Sequence, residues 1–442
     1  MTKASSFHGT KPLAFVHYSW YSSTPRSELV FVATDEKWGR RDEPQRIGEG
    51  EMKAGFHTDT VKKLMDEFAL GTGLEPILET PRRYLWTDAF AVCNFLGLYA
   101  RTANEAYLAL ALRLIDQVHE VLGKHRADDS RSGWISGLDE QEGRMHPTQG
   151  GLRIGKKLRE RRPKEPFQED LEWDRDGQYF HYSTRWMHAL HRATRVTGDD
   201  HFNEWAIELA KTSHAGFTYA PPSGEKKSMY WKMSIDLSFP LVPSMGHHDP
   251  LDGWITYHEL QKGRVENGSG SHGLNLDAEI ADMSAICEGI KWATGDPLGL
   301  GGLLVDAFRV AQLIIAKELE TEDLLETLLN DSLLGLKYYA QNNTLNLPAE
   351  YRLAFRELGL SIGLRALERL EELVDQKLNV FKRRHQLQYA IHALTQYKPL
   401  CEVIERFWVE PRTQTSDTWK EHLDINMVML ATSLAPNGYL SL

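Results

Sequence analysis

Cysteine is scarce in this chain of 442 residues. Cys93, Cys287 and Cys401 lie far apart, and no Cys-x-x-Cys pair exists. That spacing indicates neither a disulfide frame nor a cysteine zinc site. Basic excess is lacking as well. The net charge of −11 argues against a general nucleic-acid binder, which would carry a basic face. The one basic run, Lys156-Lys157-Leu158-Arg159-Glu160-Arg161-Arg162-Pro163-Lys164, reads as a solvated loop. No window holds ~18 uninterrupted apolar residues, so no membrane span is expected. The N-terminus has no apolar signal core, which makes the cytoplasm the expected compartment. Gly-x-Gly-x-x-Gly after a strand, the P-loop, the Gly-x-Ser-x-Gly elbow and His-Glu-x-x-His are all missing. No cofactor is expected.

What is present is helix. Apolar residues make up 41% and charged residues 26%, the balance of a globular protein. Residues 1–59 mix aromatics, glycine and charge without helical period and read as an irregular arm or cap. Residues 60–442 read as a single domain. The stretch 87–102 is almost wholly apolar. The next, 105–123, is amphipathic, with Leu108, Ala111, Leu112, Ile115, Val118 and Leu122 at helical spacing. A Thr102-Ala103-Asn104 turn joins them into a hairpin. The plan recurs at 183–217 around Thr197-Gly198-Asp199, and at 280–315 around Thr294-Gly295-Asp296. Alternation of all-apolar and amphipathic helices predicts two concentric layers. The expected fold is therefore all-α, an (α/α)6 toroid of helical hairpins with long functional loops and minor β content. An open solenoid of helix pairs is the plainer alternative. Strand signal is confined to 227–245. The inserts 124–182, 218–250 and 263–276 are too long for solenoid turns.

Aligning the three hairpins on their turn threonines brings Trp86-Thr87-Asp88, His181-Tyr182-Ser183 and Asp277-Ala278-Glu279 to the starts of their first helices. In a toroid such starts converge on one mouth. Glu421-His422-Leu423-Asp424 opens a further apolar helix. Trp86 and Trp134 are candidate platforms for the apolar face of a sugar ring, and carboxylates would bond its hydroxyls. His181, Arg185 and His188 form a polar stripe at helical spacing. Asp88 and Ser183 are equally good helix caps, and Asp174 and Asp176 suit a turn in "DRDG". His247, His248, Asp249, Asp252, His258 and Glu259 cluster in 244–260. Histidine and carboxylate ligate zinc or manganese, but the spacing matches no established ligand pattern, and no metal is expected.

The Thr-Gly-Asp hairpins and polar-aromatic helix starts make the chain resemble the six-hairpin (α/α)6 carbohydrate-active superfamily. That superfamily includes unsaturated glucuronyl hydrolases and the N-acylglucosamine 2-epimerase family. The first resemblance implies a catalytic pair of aspartates, to which Asp88 and Asp176 are similar in placement. The second implies histidines that move a proton beside a carbonyl. Met187-His188 resembles its Met-His helix motif, with His248 and His422 as partners. The leading expectation is glycoside hydrolysis by Asp88 and Asp176 in a Trp-lined funnel. His188 is counted with them, and Trp86, Trp134, His181, Arg185, His248, Asp277, Glu279, His422 and Asp424 are expected to bind substrate. The alternatives are a cofactor-free sugar isomerase or epimerase and a non-catalytic helical scaffold. A small carbohydrate is the expected partner, with neither nucleic acid nor membrane, and a homo-oligomer is left open.

Overall fold

Each hairpin is set by its caps. In the computed structural model, Ala103 ends one helix in the left-handed region at φ 53, and Asn104 caps the next by accepting from the Ala106 amide. Gly198 repeats the left-handed stop at φ 75. Asp296 caps the helix after it through the Gly299 amide, with Pro297 in the first turn. These are local preferences of residues that tolerate αL or present a short side-chain acceptor. The structure describes residues 49–442 except 223, 225, 268–274 and 378; side chains of 49–56 and 263–267 are likewise outside the description. The expected arm therefore lies outside the described residues up to 48, as does half of the 263–276 insert.

The main helices are α1 (Glu49–Thr72), α2 (Leu85–Thr102), α3 (Glu105–Leu122), α4 (Phe180–Thr197), α5 (His201–Phe217), α6 (Asp249–Asn267) and α7 (Asp277–Cys287). They continue with α8 (Pro297–Ile315), α9 (Glu322–Gln341), α10 (Ala354–Gln376), α11 (Arg384–Thr395), α12 (Pro399–Val409), α13 (Leu423–Leu434) and the short α14 (Asn437–Leu440). Six of them close a ring. α2 packs on α4, α4 on α6, α6 on α8, α8 on α10, α10 on α13, and α13 returns to α2. Outside this ring, α3 lies on α2, α5 on α4, α7 on α6, α9 on α8, and α11 and α12 on α10. On α1, Met65 and Thr58 take bonds from Asn94 and Arg101 of α2. Among the described residues, these helices form a closed six-hairpin toroid.

Layering follows hydrophobicity. α8 is buried on nearly every side, whereas α3 buries one stripe containing Ala111, Leu114, Ile115, Val118 and Leu122. By length and composition α8 could also cross a membrane, but most of it is buried inside this ring. One expectation fails here. The 280–315 hairpin runs in the opposite sense to the first two, with α7 outside and α8 inside. Its Thr-Gly-Asp turn leads into an inner helix rather than out of one.

The tightest seam joins α8 to α10. A Cβ on Gly301 would stand 2.0 Å from the Gly359 carbonyl oxygen, and one on Gly363 would stand 2.5 Å from the Gly301 Cα. Backbone touches backbone, and neither helix can yield alone. We expect Gly301→Ala to cost about 1–3 kcal/mol or more through overpacking, read as a lowered midpoint in chemical denaturation.

The strands are small. β1 (Gln178–Tyr179), β4 (Lys232–Met233) and β5 (Pro240–Val242) form one antiparallel sheet, and β2 (Thr218–Tyr219) pairs with β3 (Ser228–Met229). Three of the five come from 227–245, where strand was expected. Ile154, Tyr179 and Trp231 make a second hydrophobic cluster against Tyr84 and Tyr182. The long inserts thus build a rim over one end of the ring. The C-terminal residues occupy the other end. Gly438 presses on Gly97 and the Cys93 carbonyl, and Tyr439 stacks on Phe90 at 4.4 Å.

Candidate active site

Contacts between their first residues place the starts of all six inner helices at the same end of the toroid. Those six starts touch in sequence around one mouth. The Tyr84 hydroxyl meets the Tyr182 hydroxyl at 2.8 Å, linking α2 to α4. His181 Nδ1 stands 3.6 Å from Asp249, linking α4 to α6. His248, just before α6, lies beside Gly299 of α8. Asp296 at the start of α8 pairs with Arg356 of α10. Phe355 of α10 meets the His422 ring at 5.3 Å, before α13. Asp424 of α13 pairs at 3.2 Å with Arg82, before α2. Aromatic and ionisable groups thus line a complete circle, over six helix N-termini whose partial positive charge points the same way.

Two histidines of this circle suit proton transfer. His248 Nε2 donates to the Trp292 carbonyl at 3.0 Å, which leaves Nδ1 as the basic nitrogen. Burial lowers its pKa to about 4, with His247 adding to the effect. His422 is also lowered, first by burial. Glu421 opposes the shift, while the Lys156 and Arg356 charges reinforce it. Both rings are neutral near pH 7 and so available as bases. Within the ring order, α6 and α13 are diametrically opposed. Tyr182 is pushed up to about 12 by burial, so its hydroxyl keeps its proton at neutral pH.

The two expected aspartates sit differently. Asp88 is 1% exposed. Its Oδ2 accepts from the Tyr84 amide at 2.9 Å, and Arg83 Nη1 stands 3.5 Å from its Oδ1. Burial raises it to about 6, against the Arg83 charge. Asp176 is fully buried. Its Oδ1 accepts from the amides of Gly155, Lys156 and Gly177, and its Oδ2 from Arg153 at 2.9 Å and Arg126 at 3.2 Å. Nothing is left on that carboxylate to meet a substrate.

The stripe on α4 divides by depth. His181 lies at the mouth, with Trp231 stacked 6.4 Å away. Arg185 bonds Asp252 at 2.9 Å. His188 is 2% exposed, with Nδ1 2.7 Å from Glu259 and Nε2 2.7 Å from the Tyr439 carbonyl. Burial works against its charge and Glu259 works for it. It belongs to a buried belt in which Arg309 joins Asp252, Glu259 and Asp306. That belt fastens the C-terminal residues, since Arg192 and Gln312 also bond carbonyls of Gly438 and Leu440.

Asp277 and Glu279 require a correction. α7 is an outer helix and starts at the far end, where Asp277 takes a bond from Gln261 near the end of α6. Glu279 pairs with Lys211 of α5 at 3.0 Å. Neither reaches the mouth. Trp134 is buried in the 124–145 insert, where its Nε1 donates to Glu140 and Lys124 lies 4.5 Å over its ring. Trp86 is buried against Phe90 at 4.5 Å, with Tyr182 at 6.5 Å. Reading by sequence missed Tyr84, Lys156, Phe355 and Arg356. Tyr182 falls within the expected His181-Tyr182-Ser183 helix start at the mouth, without a role of its own there. Among the described residues, no three His, Cys, Asp or Glu side chains form a group that could hold a metal.

No family model and no curated protein matches the chain. Among solved structures it is similar to a cellobiose 2-epimerase from Spirochaeta thermophila, at 12% identity and TM-score 0.43, over 80% of this chain and 87% of that one. It is similar to a cellobiose 2-epimerase from Bacillus thermoamylovorans, at 9% identity and TM-score 0.44, over 78% and 87%. A sugar epimerase from a ruminal bacterium gives 10% identity and TM-score 0.38, over 70% and 74%.

Proposed function

We propose that this protein is a carbohydrate-acting enzyme that moves a proton at the carbon beside a sugar carbonyl, a cofactor-free epimerase or isomerase. The observation that carries the reading is the placement of His248 and His422 at the starts of opposite inner helices. A bound sugar at the mouth would present one face to each. One neutral imidazole removes the proton, leaving an enediolate, and the other, once protonated, returns a proton to the opposite face. Return to the neighbouring carbon would give isomerisation instead. The Tyr84–Tyr182 pair, with one hydroxyl proton left to donate, and Arg356 supply donors of the kind that stabilise a developing oxyanion. Hydrolysis by Asp88 and Asp176 is less well supported. It needs one carboxylate to reach water or the anomeric carbon, and Asp176 is wholly engaged with amides and guanidinium groups.

The test is deuterium wash-in. Incubating the protein with reducing sugars in heavy water should place deuterium at the carbon next to the carbonyl, read by NMR. No exchange across a panel of aldoses and ketoses would remove the proposal. The pH profile gives a second check. Both histidines are lowered, so their basic forms persist in more acid solution than ordinary imidazole. The acid limb of kcat/KM for exchange should fall below pH ~6.5, the unperturbed histidine value. A limb above that value would contradict the assignment.

A further inference from the structure

The basic run at 156–164 reads as a solvated loop in sequence, yet its first residue is at the mouth. Lys156 Nζ lies 5.4 Å over the Tyr84 ring, and its charge reaches His422. We propose that Lys156 is an anion-recognising residue, and that the sugar taken by this mouth carries a fixed negative charge, a carboxylate or a phosphate. The inference rests on the epimerase or isomerase reading for the reaction, but not for the binding.

Three observations carry it. The first is missing compensation. Lys156 is part-buried, and burial is the main cause lowering its pKa. The carboxylates whose charge acts on it are Asp174 and Asp176, and among the described residues neither forms an ion pair with it. Asp174 is exposed, and Asp176 is already held by Arg126 and Arg153. A desolvated ammonium without a carboxylate is costly unless something anionic completes it.

The second is rigidity. Asp176 accepts from the Lys156 amide at 3.2 Å, and Arg126 donates to the Lys156 carbonyl at 2.6 Å. Gly155 sits at φ +94, and a Cβ there would stand 2.2 Å from the Arg83 carbonyl. The loop is clamped to the start of α2, so the ammonium is presented rather than trailing. The third is the shared field. Lys156 and Arg356 both disfavour protonated His422. An anion beside Lys156 would offset that effect and bring His422 closer to the basicity that proton abstraction needs. Substrate charge and base strength would then be coupled.

The experiment compares glucose, glucuronate and glucose 6-phosphate with the wild-type chain, Lys156→Met and the control Lys164→Met. Lys164 is exposed in the same basic run. Deuterium wash-in gives kcat/KM, and calorimetry gives Kd without turnover. A charge-assisted contact of this kind is worth about tenfold or more in affinity. Wild type should therefore favour at least one charged sugar over glucose by that factor. Lys156→Met should weaken that sugar about tenfold more than glucose, mainly through KM, and Lys164→Met should not. Whichever charged sugar loses more identifies carboxylate or phosphate as the group read. Glucose binding as tightly as both charged sugars would overturn the proposal, as would an unchanged preference in Lys156→Met. Should no sugar exchange deuterium while Lys156→Met still weakens binding of a charged one, the reaction assignment fails and the anion site stands.

Discussion

Asp176→Asn is expected to destabilise the protein by about 3–5 kcal/mol, the range for removing one partner of a buried ion pair. The carboxylate divides its work. Oδ1 takes three backbone amides and Oδ2 takes two guanidinium groups. An amide cannot satisfy both sets. If its oxygen faces the amides, its NH2 faces Arg126 and Arg153, donor against donor. Turning it over exposes the three amides to the NH2 instead. Either way buried donors lose their acceptor, at about 1–3 kcal/mol each before relaxation. In a chain of this size the loss should lower Tm by roughly 3–5 °C, at about 1 °C per kcal/mol from the per-residue unfolding entropy. Differential scanning calorimetry reads this directly. A catalytic aspartate would behave in the reverse way, since Asn there leaves Tm unchanged and abolishes turnover. A variant that melts normally and is inactive would restore the carboxylate-pair hydrolase. The same change should also loosen the loop that carries Lys156, so charged-sugar affinity and stability should fall together.

The toroid was legible because its signals are local. Helical period, the Ala103 and Gly198 stops and the Asn104 cap lie within a few residues of what they control. Inner and outer layers were legible too, from hydrophobicity alone. The third hairpin is the exception, because its turn matches those of the first two while its hydrophobicity is reversed. The apolar run of α8 marks it as inner, and the Thr-Gly-Asp turn says only that a helix begins, not on which layer. Asp277 and Glu279 were drawn into the site by that match of turns. The site itself was legible only as a set of helix starts. Which groups remain available depends on partners remote in sequence. His188 looks reactive until Glu259 and the Tyr439 carbonyl, 251 residues away, take both nitrogens. Asp176 looks like a turn residue or an acid until the 153–157 loop wraps it. Lys156 is the converse case, ordinary in composition and distinctive only once its loop is folded back onto α2.

His422→Asn and His248→Asn should each reduce epimerisation by about 10²–10⁴-fold, the usual worth of a positioned general acid or base. Loss of activity alone would not separate chemistry from binding, but a two-base geometry makes a finer demand. With one imidazole on each face of the carbon, each histidine removes the proton of one epimer only. His422→Asn should therefore still wash deuterium into the epimer deprotonated by His248, with retention of configuration. His248→Asn should do so for the other epimer. Neither variant should interconvert the two at the wild-type rate. Equal loss of exchange for both epimers in both variants would rule out opposed bases. Both side chains lie half-buried at the mouth, so their replacement should leave Tm within a few degrees of wild type. His188→Asn serves as the contrast. Its ring ties α4 to Glu259 and to the C-terminal residues that close the far end, and its loss leaves the buried Glu259 Oε1 without its partner while Arg309 still holds Oε2. That variant should melt early while its residual folded fraction keeps the exchange pattern of wild type.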